Sequence, residues 1–150
     1  MTRDYPDRPI AAVGVVVVRD DKILLIRRAK PPKLNEWSIP GGMQEIGETT
    51  EDAAFREVLE ETSITIERPQ FLDIVNYIDR DRDGRVKHHY TLIDYAANYH
   101  SGVLRAGDDA GEARWVSIDR ISHYNLWSKT ESMIYKAIDR LTKGEADRDE

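Results

Sequence analysis

A chain of 150 residues suits one domain with a proper core and leaves no room for two, so residues 1–150 are expected as a single domain with flexible ends at about 1–8 and 144–150. The formal net charge of −6 gives no support for a nucleic-acid polymer as partner, although a bound metal can reverse the local field for a small anion. The absence of cysteine excludes disulfide and thiolate chemistry, and with no signal-type apolar core and no membrane span the expected compartment is the cytoplasm.

Met1 to Pro9 is polar with two prolines and reads as a loosely ordered lead-in. Ile10 to Val18 is nearly all apolar and β-branched, which suits a strand buried on both faces. The polar turn Arg19 to Lys22 leads into a second strand, Ile23 to Ile26, and the pair reads as a hairpin. Arg27, Arg28 and Lys30 are expected to leave the sheet as a basic cluster before the loop from Pro31 to Glu36. Trp37 to Pro40 re-enters as a short strand. In the pair Gly41-Gly42 the backbone must either approach something closely or take positive φ.

Thr49 with Asp52 has the form of a helix start of capping-box type, and the helix should end near Thr62. Ile64 to Ile78 is irregular around Pro69 and reads as a strand, a break and a second strand. Asp83-Gly84 marks a hairpin tip, and Val86 to Tyr99 is the returning strand. The aspartates of this turn lack the terminal glutamate of a calcium-binding loop. Ser101 to Gly111 is expected as a loop and Ala113 to Ser117 as a strand. Ser117 is expected to cap a short helix through His123, and Lys129 to Leu141 has the apolar spacing of a final helix. His88 and His89 alternate along one strand, so one faces in, as a satisfied structural histidine, and one faces out.

The chemistry concentrates between Gly42 and Ile64, GMQEIGETTEDAAFREVLEETSI. On a helix, Glu57, Glu60 and Glu61 fall within an arc of roughly 100°, with Arg56 at its edge. Like charges three and four apart repel by about 0.2–0.5 kcal/mol per pair. A hard divalent cation with oxygen ligands is the natural offset, whereas a solvated acidic face is the plainer reading of two adjacent glutamates. The pattern G-x5-E-x7-R-E-(apolar)-x-E-E-x-x-(apolar) fixes eight positions by type, and a chance match is on the order of one in a million at ordinary residue frequencies.

This stretch resembles the Nudix box of the Nudix hydrolases. It departs at Ser63, where the family usually has glycine, and serine there is expected to carry the strain of a left-handed helix end. LLIRR with W-x-I-P-G-G, and GEARWV, resemble further family segments. The resemblance implies an α/β fold, an α/β/α sandwich around a mixed sheet. It also implies hydrolysis of a nucleoside diphosphate linked to another group, with Mg²⁺ or alternatively Mn²⁺. Carried over by position, Glu57, Glu60 and Glu61 match the metal-binding and water-activating carboxylates. Arg56 matches the arginine that holds their rotamers, Glu48 the supporting metal-site glutamate, and a Gly41-Gly42 carbonyl the remaining ligand.

The general base comes either from the box or from a later acid, here Glu112, Asp108 or Asp109. Arg27 and Arg28 occupy positions where relatives bind phosphate or base. Trp37 either stacks on a nucleobase or belongs to the core. KHHYTLIDY and AGDDAGEARWV resemble the bacterial ADP-ribose pyrophosphatase branch, whose products are AMP and ribose 5-phosphate. No proline follows Pro69, whereas many ADP-ribose-specific members have one beyond the box. A nucleoside triphosphate sanitising hydrolase is therefore the alternative, and a nucleotide sensor that binds without cleaving is the reading from another class. Dimers are common among the ADP-ribose relatives, and a homodimer is one further expectation.

Overall fold

Ile10–Arg19 is apolar on both faces because it becomes the centre of the sheet. A computed structural model describes residues 3–30, 33–107 and 109–149, with side chains as far as Lys143. In chain order its elements are β1 (Ile10–Arg19), β2 (Lys22–Arg28), β3 (Trp37–Ser38), β4 (Gly41–Met43), α1 (Thr50–Thr62), β5 (Thr65–Ile66), β6 (Gln70–Arg80), β7 (Val86–Ser101), β8 (Ala110–Ser117), a 3₁₀ turn (Ile118–Tyr124) and α2 (Ser128–Asp149). β1 runs parallel to β7 from Ile10↔Tyr90 to Val18↔Asn98. Its other edge is shared by two antiparallel partners, β4 at Ala12 to Gly14 and β2 at Val18 and Arg19. β2 also pairs with β3 and β8, while β5 and β6 pair with β7.

The two helices cover opposite faces of this mixed sheet, as the α/β/α expectation requires. Val13, Val15 and Val17 pack with Ala53, Ala54 and Val58 of α1. Val16, Ile23 and Leu25 pack with Met133, Ile134, Ala137 and Leu141 of α2. Burying such aliphatic side chains contributes about 1.5–3 kcal/mol each, so the alternating valines of β1 tie both layers together. Among the described residues no helix is long and apolar enough to cross a membrane.

Several boundaries differ from expectation for local reasons. Arg27 and Arg28 stay within β2, because β8 continues to pair with them at Glu112 and Ala110; the same pairing starts β8 at Ala110 rather than Ala113. Ser117 gives no side-chain cap to the 3₁₀ turn. α2 continues to Asp149 rather than stopping near Leu141. The lead-in is pinned: Tyr5 donates its N–H to Lys87 O (2.8 Å) and its hydroxyl to Asp81 (2.8 Å). Met1, Thr2, Pro31, Pro32, Asp108 and Glu150 lie outside the described residues.

Both ends of α1 are closed by named groups. At its start Thr49 Oγ1 accepts from the Asp52 N–H (3.0 Å), satisfying one of the helix's orphan donors. At its end Ser63 adopts φ 63°, ψ 14° and donates its N–H to Leu59 O. The loop after β7 then supplies what the last turn lacks: Arg105 and Gly107 donate their N–H groups to Thr62 O (2.9 Å) and Glu61 O (2.8 Å). Ser63 thus holds the left-handed conformation at a non-glycine residue, a region roughly 1–2 kcal/mol uphill for an L side chain. Ser63→Gly is expected to stabilise the fold by about 0.5–1 kcal/mol, the strain relief being partly offset by greater freedom of the unfolded chain. A urea melt in which Ser63→Gly unfolds earlier than the parent contradicts this account.

Candidate active site

Helical spacing brings the acids of α1 to one side, and Arg56 gathers them. Its Nε and Nη2 meet Glu48 Oε2 and Oε1 at 2.9 and 2.6 Å, a two-pronged pair. Nη1 reaches Glu57 Oε1 (2.9 Å) and Glu60 Oε2 (3.2 Å), and Nη2 also donates to Met43 O (3.0 Å). Glu48 is further held by the Glu45 N–H (2.8 Å). The Arg56 hydrogen bonds, followed by that backbone donor, keep the Glu48 carboxyl well below the usual carboxylate range. Charged, bidentate contacts of this kind fix orientation as well as energy.

Glu61 turns the other way and is buried, at 7% exposure. The Gly41 N–H donates to its Oε1 (3.1 Å). Burial, with Glu57 close by, pushes the Glu61 carboxyl up to about 8 despite that donor. The glycine pair is needed for space rather than for positive φ. A Cβ on Gly41 would collide with Val13 O, and one on Gly42 with the Glu57 carboxylate. Among the described residues no three acidic or histidine side chains form a ready-made metal cage. Arg56 engages Glu48, Glu60 and one oxygen of Glu57.

These residues form one end of a cleft of about 560 Å³ on the α2 side of the sheet. Gly41, Gly42, Glu57, Glu60 and Glu61 line that end, and Trp37, Tyr77 and Trp127 bring aromatic surface. Tyr77 and Trp127 meet edge to face at 5.6 Å, with Lys33 Nζ 4.3 Å from the Trp127 ring centre. Arg28 lines the cleft, whereas its neighbour Arg27 does not, as expected for alternate residues on a strand. Arg27 pairs with Glu112 (3.5 Å), and Arg114 holds the other Glu112 oxygen (2.8 Å). Glu112 therefore stands apart from the cleft. Asp109 lines it, bound to Lys30 (2.6 Å); Asp108 is outside the described residues.

Trp37 is half-buried: it lines the cleft and packs against the core beside Tyr124. His88 is the inward histidine, buried between Asp79 (3.0 Å) and Asp4 (2.9 Å). The sequence reading did not single out Tyr77, Trp127, Lys33, Tyr90 or Asp94, all of which line the cleft. A signal existed for the last of them, because Asp94 is the lone acid in the apolar run Tyr90 to Ala97.

The comparisons agree with this architecture. The chain is 36% identical over 113 residues to an ADP-ribose pyrophosphatase of Methanocaldococcus jannaschii, covering 75% of this chain and 64% of that protein. It is 36% identical over 126 residues to an 8-oxo-dGTP diphosphatase of Escherichia coli, covering 83% of this chain and 92% of that protein. The chain thus spans just under two thirds of the first relative's length. The crystal structure of a MutT NUDIX hydrolase from Burkholderia pseudomallei superposes with a TM-score of 0.75 at 31% identity, covering 87% of this chain and 98% of that one. Residues 8–137 match the NUDIX domain, and the chain belongs to the NUDIX family.

Proposed function

We propose that this protein is a pyrophosphohydrolase dependent on a divalent cation, Mg²⁺ or Mn²⁺, that cleaves ADP-ribose to AMP and ribose 5-phosphate. The observation that carries the reading is the Glu57–Glu61 carboxylate pair against the Gly41-Gly42 backbone at one end of the cleft. The 36% identity to the archaeal ADP-ribose pyrophosphatase supports the choice of substrate. A second reading, a nucleoside triphosphate sanitising hydrolase, is favoured by the match along 92% of the 8-oxo-dGTP diphosphatase. Retention of every box acid speaks against a sensor that binds without cleaving.

The donor set fits a hard cation: oxygen ligands only, two neighbouring carboxylates, and a Glu61 carboxyl raised by burial and by the nearby Glu57. Glu57 and Glu61 would hold the ion, with Glu60, Glu48 and a Gly41 carbonyl as the further ligands that the box pattern assigns. When bound, a cation neutralises phosphate charge and lowers the pKa of a water. Arg56 orients Glu57 and Glu60 through Nη1 and anchors Glu48 through its other two nitrogens. Glycine at 41 and 42 lets backbone and phosphate come close. Water activation falls to the box acids, since Glu112 is held by Arg27 and Arg114 outside the cleft.

Coupled phosphate release over a panel of nucleotides with Mg²⁺ tests the reading. The highest kcat/KM is expected for ADP-ribose. A clear preference for oxidised or ordinary nucleoside triphosphates transfers the assignment to the second reading, and binding without turnover on any of them supports the sensor.

Glu57→Gln and Glu61→Gln should each lower kcat by on the order of a thousand-fold or more, with the double variant far from additive because the pair acts as a unit. Glu112→Gln should remain close to the parent. A collapse of kcat in Glu112→Gln at unchanged stability returns the role of base to that residue.

The raised Glu61 carboxyl also fixes a pH dependence. Its folded pKa of about 8 exceeds the ordinary 4.5, so its contribution to stability is complete below pH 4.5 and is lost as pH rises through 8. Asp94, raised to about 6 by burial and then by Asp73, acts in the same direction at lower pH. In EDTA the melting temperature should therefore fall between about pH 6 and 8, and Glu61→Gln should flatten that part of the curve. Mg²⁺ should raise the melting temperature most at the alkaline end. An identical pH profile for parent and Glu61→Gln contradicts the assignment.

A further inference from the structure

β7 presents Tyr90, Leu92 and Asp94 on the same side, two residues apart, and all three line the cleft. The two polar members are deeply buried, Tyr90 at 7% and Asp94 at 5% exposure. The Tyr90 hydroxyl has no hydrogen-bond partner. The Asp94 carboxylate receives no donor among the described residues, and its electrostatic neighbour is another acid, Asp73. Buried polar groups are nearly always paired, and an exception in a folded protein asks for an explanation. The Tyr90 hydroxyl is such an exception, and with the donor-free Asp94 carboxylate on the same cleft floor it points to a ligand that supplies the missing partners.

The position of Asp94 indicates which part of a ligand that is. Gly14 on β1 is in register with Asp94 on one side and with Gly41 on the other. A Cβ at residue 14 would lie 2.5 Å from Asp94 Oδ1, so glycine keeps the carboxylate open to the cleft. At a strand spacing of about 4.8 Å, the Asp94 backbone lies roughly 10 Å across the sheet from Gly41, whose N–H holds Glu61. Beyond β7 comes β6 with Tyr77, which meets Trp127 edge to face. Across the sheet the cleft therefore offers acids, then an open glycine floor, then the Asp94 carboxylate; the aromatic rings lie further along the strands, where Tyr77 stands opposite Tyr90 while Asp73 is the β6 residue opposite Asp94. A nucleotide has the same order: phosphate, sugar, base.

We propose that Asp94 is a sugar-reading residue whose two carboxylate oxygens accept the vicinal 2′- and 3′-hydroxyls of the ribose next to the phosphate, making the site selective for ribonucleotides. This rests on the nucleotide reading above. Two hydroxyl donors match two acceptor oxygens, and no positive group has to enter the cleft. Acidic side chains recognise ribose hydroxyls in this manner in unrelated dinucleotide sites. Tyr90, about 13 Å further along the strand at 3.3 Å per residue, is left for a polar group at the aromatic end.

The test is calorimetric binding of AMP, 2′-deoxy-AMP, GMP and 2′-deoxy-GMP in Mg²⁺ to the full chain, to Asp94→Ala and to the near-isosteric Asp94→Asn. None of these ligands contains a bond the enzyme would cleave. The parent is expected to bind each ribonucleotide roughly ten- to a hundred-fold more tightly than its deoxy counterpart, the range for a hydrogen bond to a charged group. Both variants should bring that ratio close to one, weakening the ribonucleotides more than the deoxynucleotides, which lose only the 3′-hydroxyl contact. Equal affinities in the parent, or a ratio that survives in a folded Asp94→Asn, overturn the proposal. So does a loss that follows guanine against adenine regardless of the sugar, which assigns Asp94 to the base edge. Ribose selectivity in a protein that does not hydrolyse ADP-ribose sinks the substrate choice and leaves the sugar assignment standing, whereas no binding of any nucleotide removes both.

Discussion

One guanidinium holds the candidate site together. Arg56 has five N–H donors in a rigid fork, and it applies them to Glu48, Glu57, Glu60 and the Met43 carbonyl. Without it, four acids would face each other across one turn of helix and the loop before it. With it, the loop carrying Glu48 is tied to α1, and the repulsion between glutamates three and four apart is offset locally. The arrangement is also asymmetric. Arg56 does not reach Glu61, the most buried of these four acids. Burial, and then the neighbouring Glu57, raises the Glu61 carboxyl.

The second constraint is steric. Gly14, Gly41 and Gly42 sit where three layers touch: β1, β4 and the acid face of α1. Side chains there would strike Asp94, the β1 backbone and Glu57 respectively. The glycines do two jobs with one absence. They let β4 pair closely with β1, and they leave the cleft floor flat between the acids and β7. The loop from Gly102 to Gly107 repeats the device at the C-terminal end of α1, where close backbone approach lets Arg105 and Gly107 satisfy the helix's last carbonyls. The last turns of the helix that carries the acids are thus held by close contacts that glycine permits, while its first turn is capped by Thr49.

What the sequence made legible follows from these physical scales. Helical period and capping chemistry are local, so the limits of α1 and the Thr49 cap could be read from the residues, whereas the left-handed Ser63 followed from the family resemblance. The double burial of β1 was equally plain in its unbroken valines. What escaped was set by tertiary pairing. Arg27 and Arg28 were read as leaving the sheet, since a charged run resembles a loop until its partner strand is known. Glu112 was a candidate base because its distance from the acids cannot be inferred along the chain; the fold sets it in register opposite Arg27. The aromatic lining was invisible because Tyr77 and Trp127 are 50 residues apart and meet only across the folded sheet.

The charge distribution resolves how a protein with a net charge of −6 can receive an anion. Its cations are not spread evenly: Arg28, Lys30, Lys33 and Lys129 all border the cleft. Lys30 is balanced by Asp109, and Lys33 lies over the Trp127 and Tyr77 rings, where burial holds its ammonium below the usual range. A cation resting on an aromatic face gains modest attraction, which holds Lys33 against these two rings at the border of the cleft. The acids at the opposite end act on a different scale, since their field reverses once a divalent ion sits among them. Net charge and local charge are thus separate quantities here: the chain is acidic overall, while basic and aromatic side chains gather at one end of the cleft and carboxylates at the other.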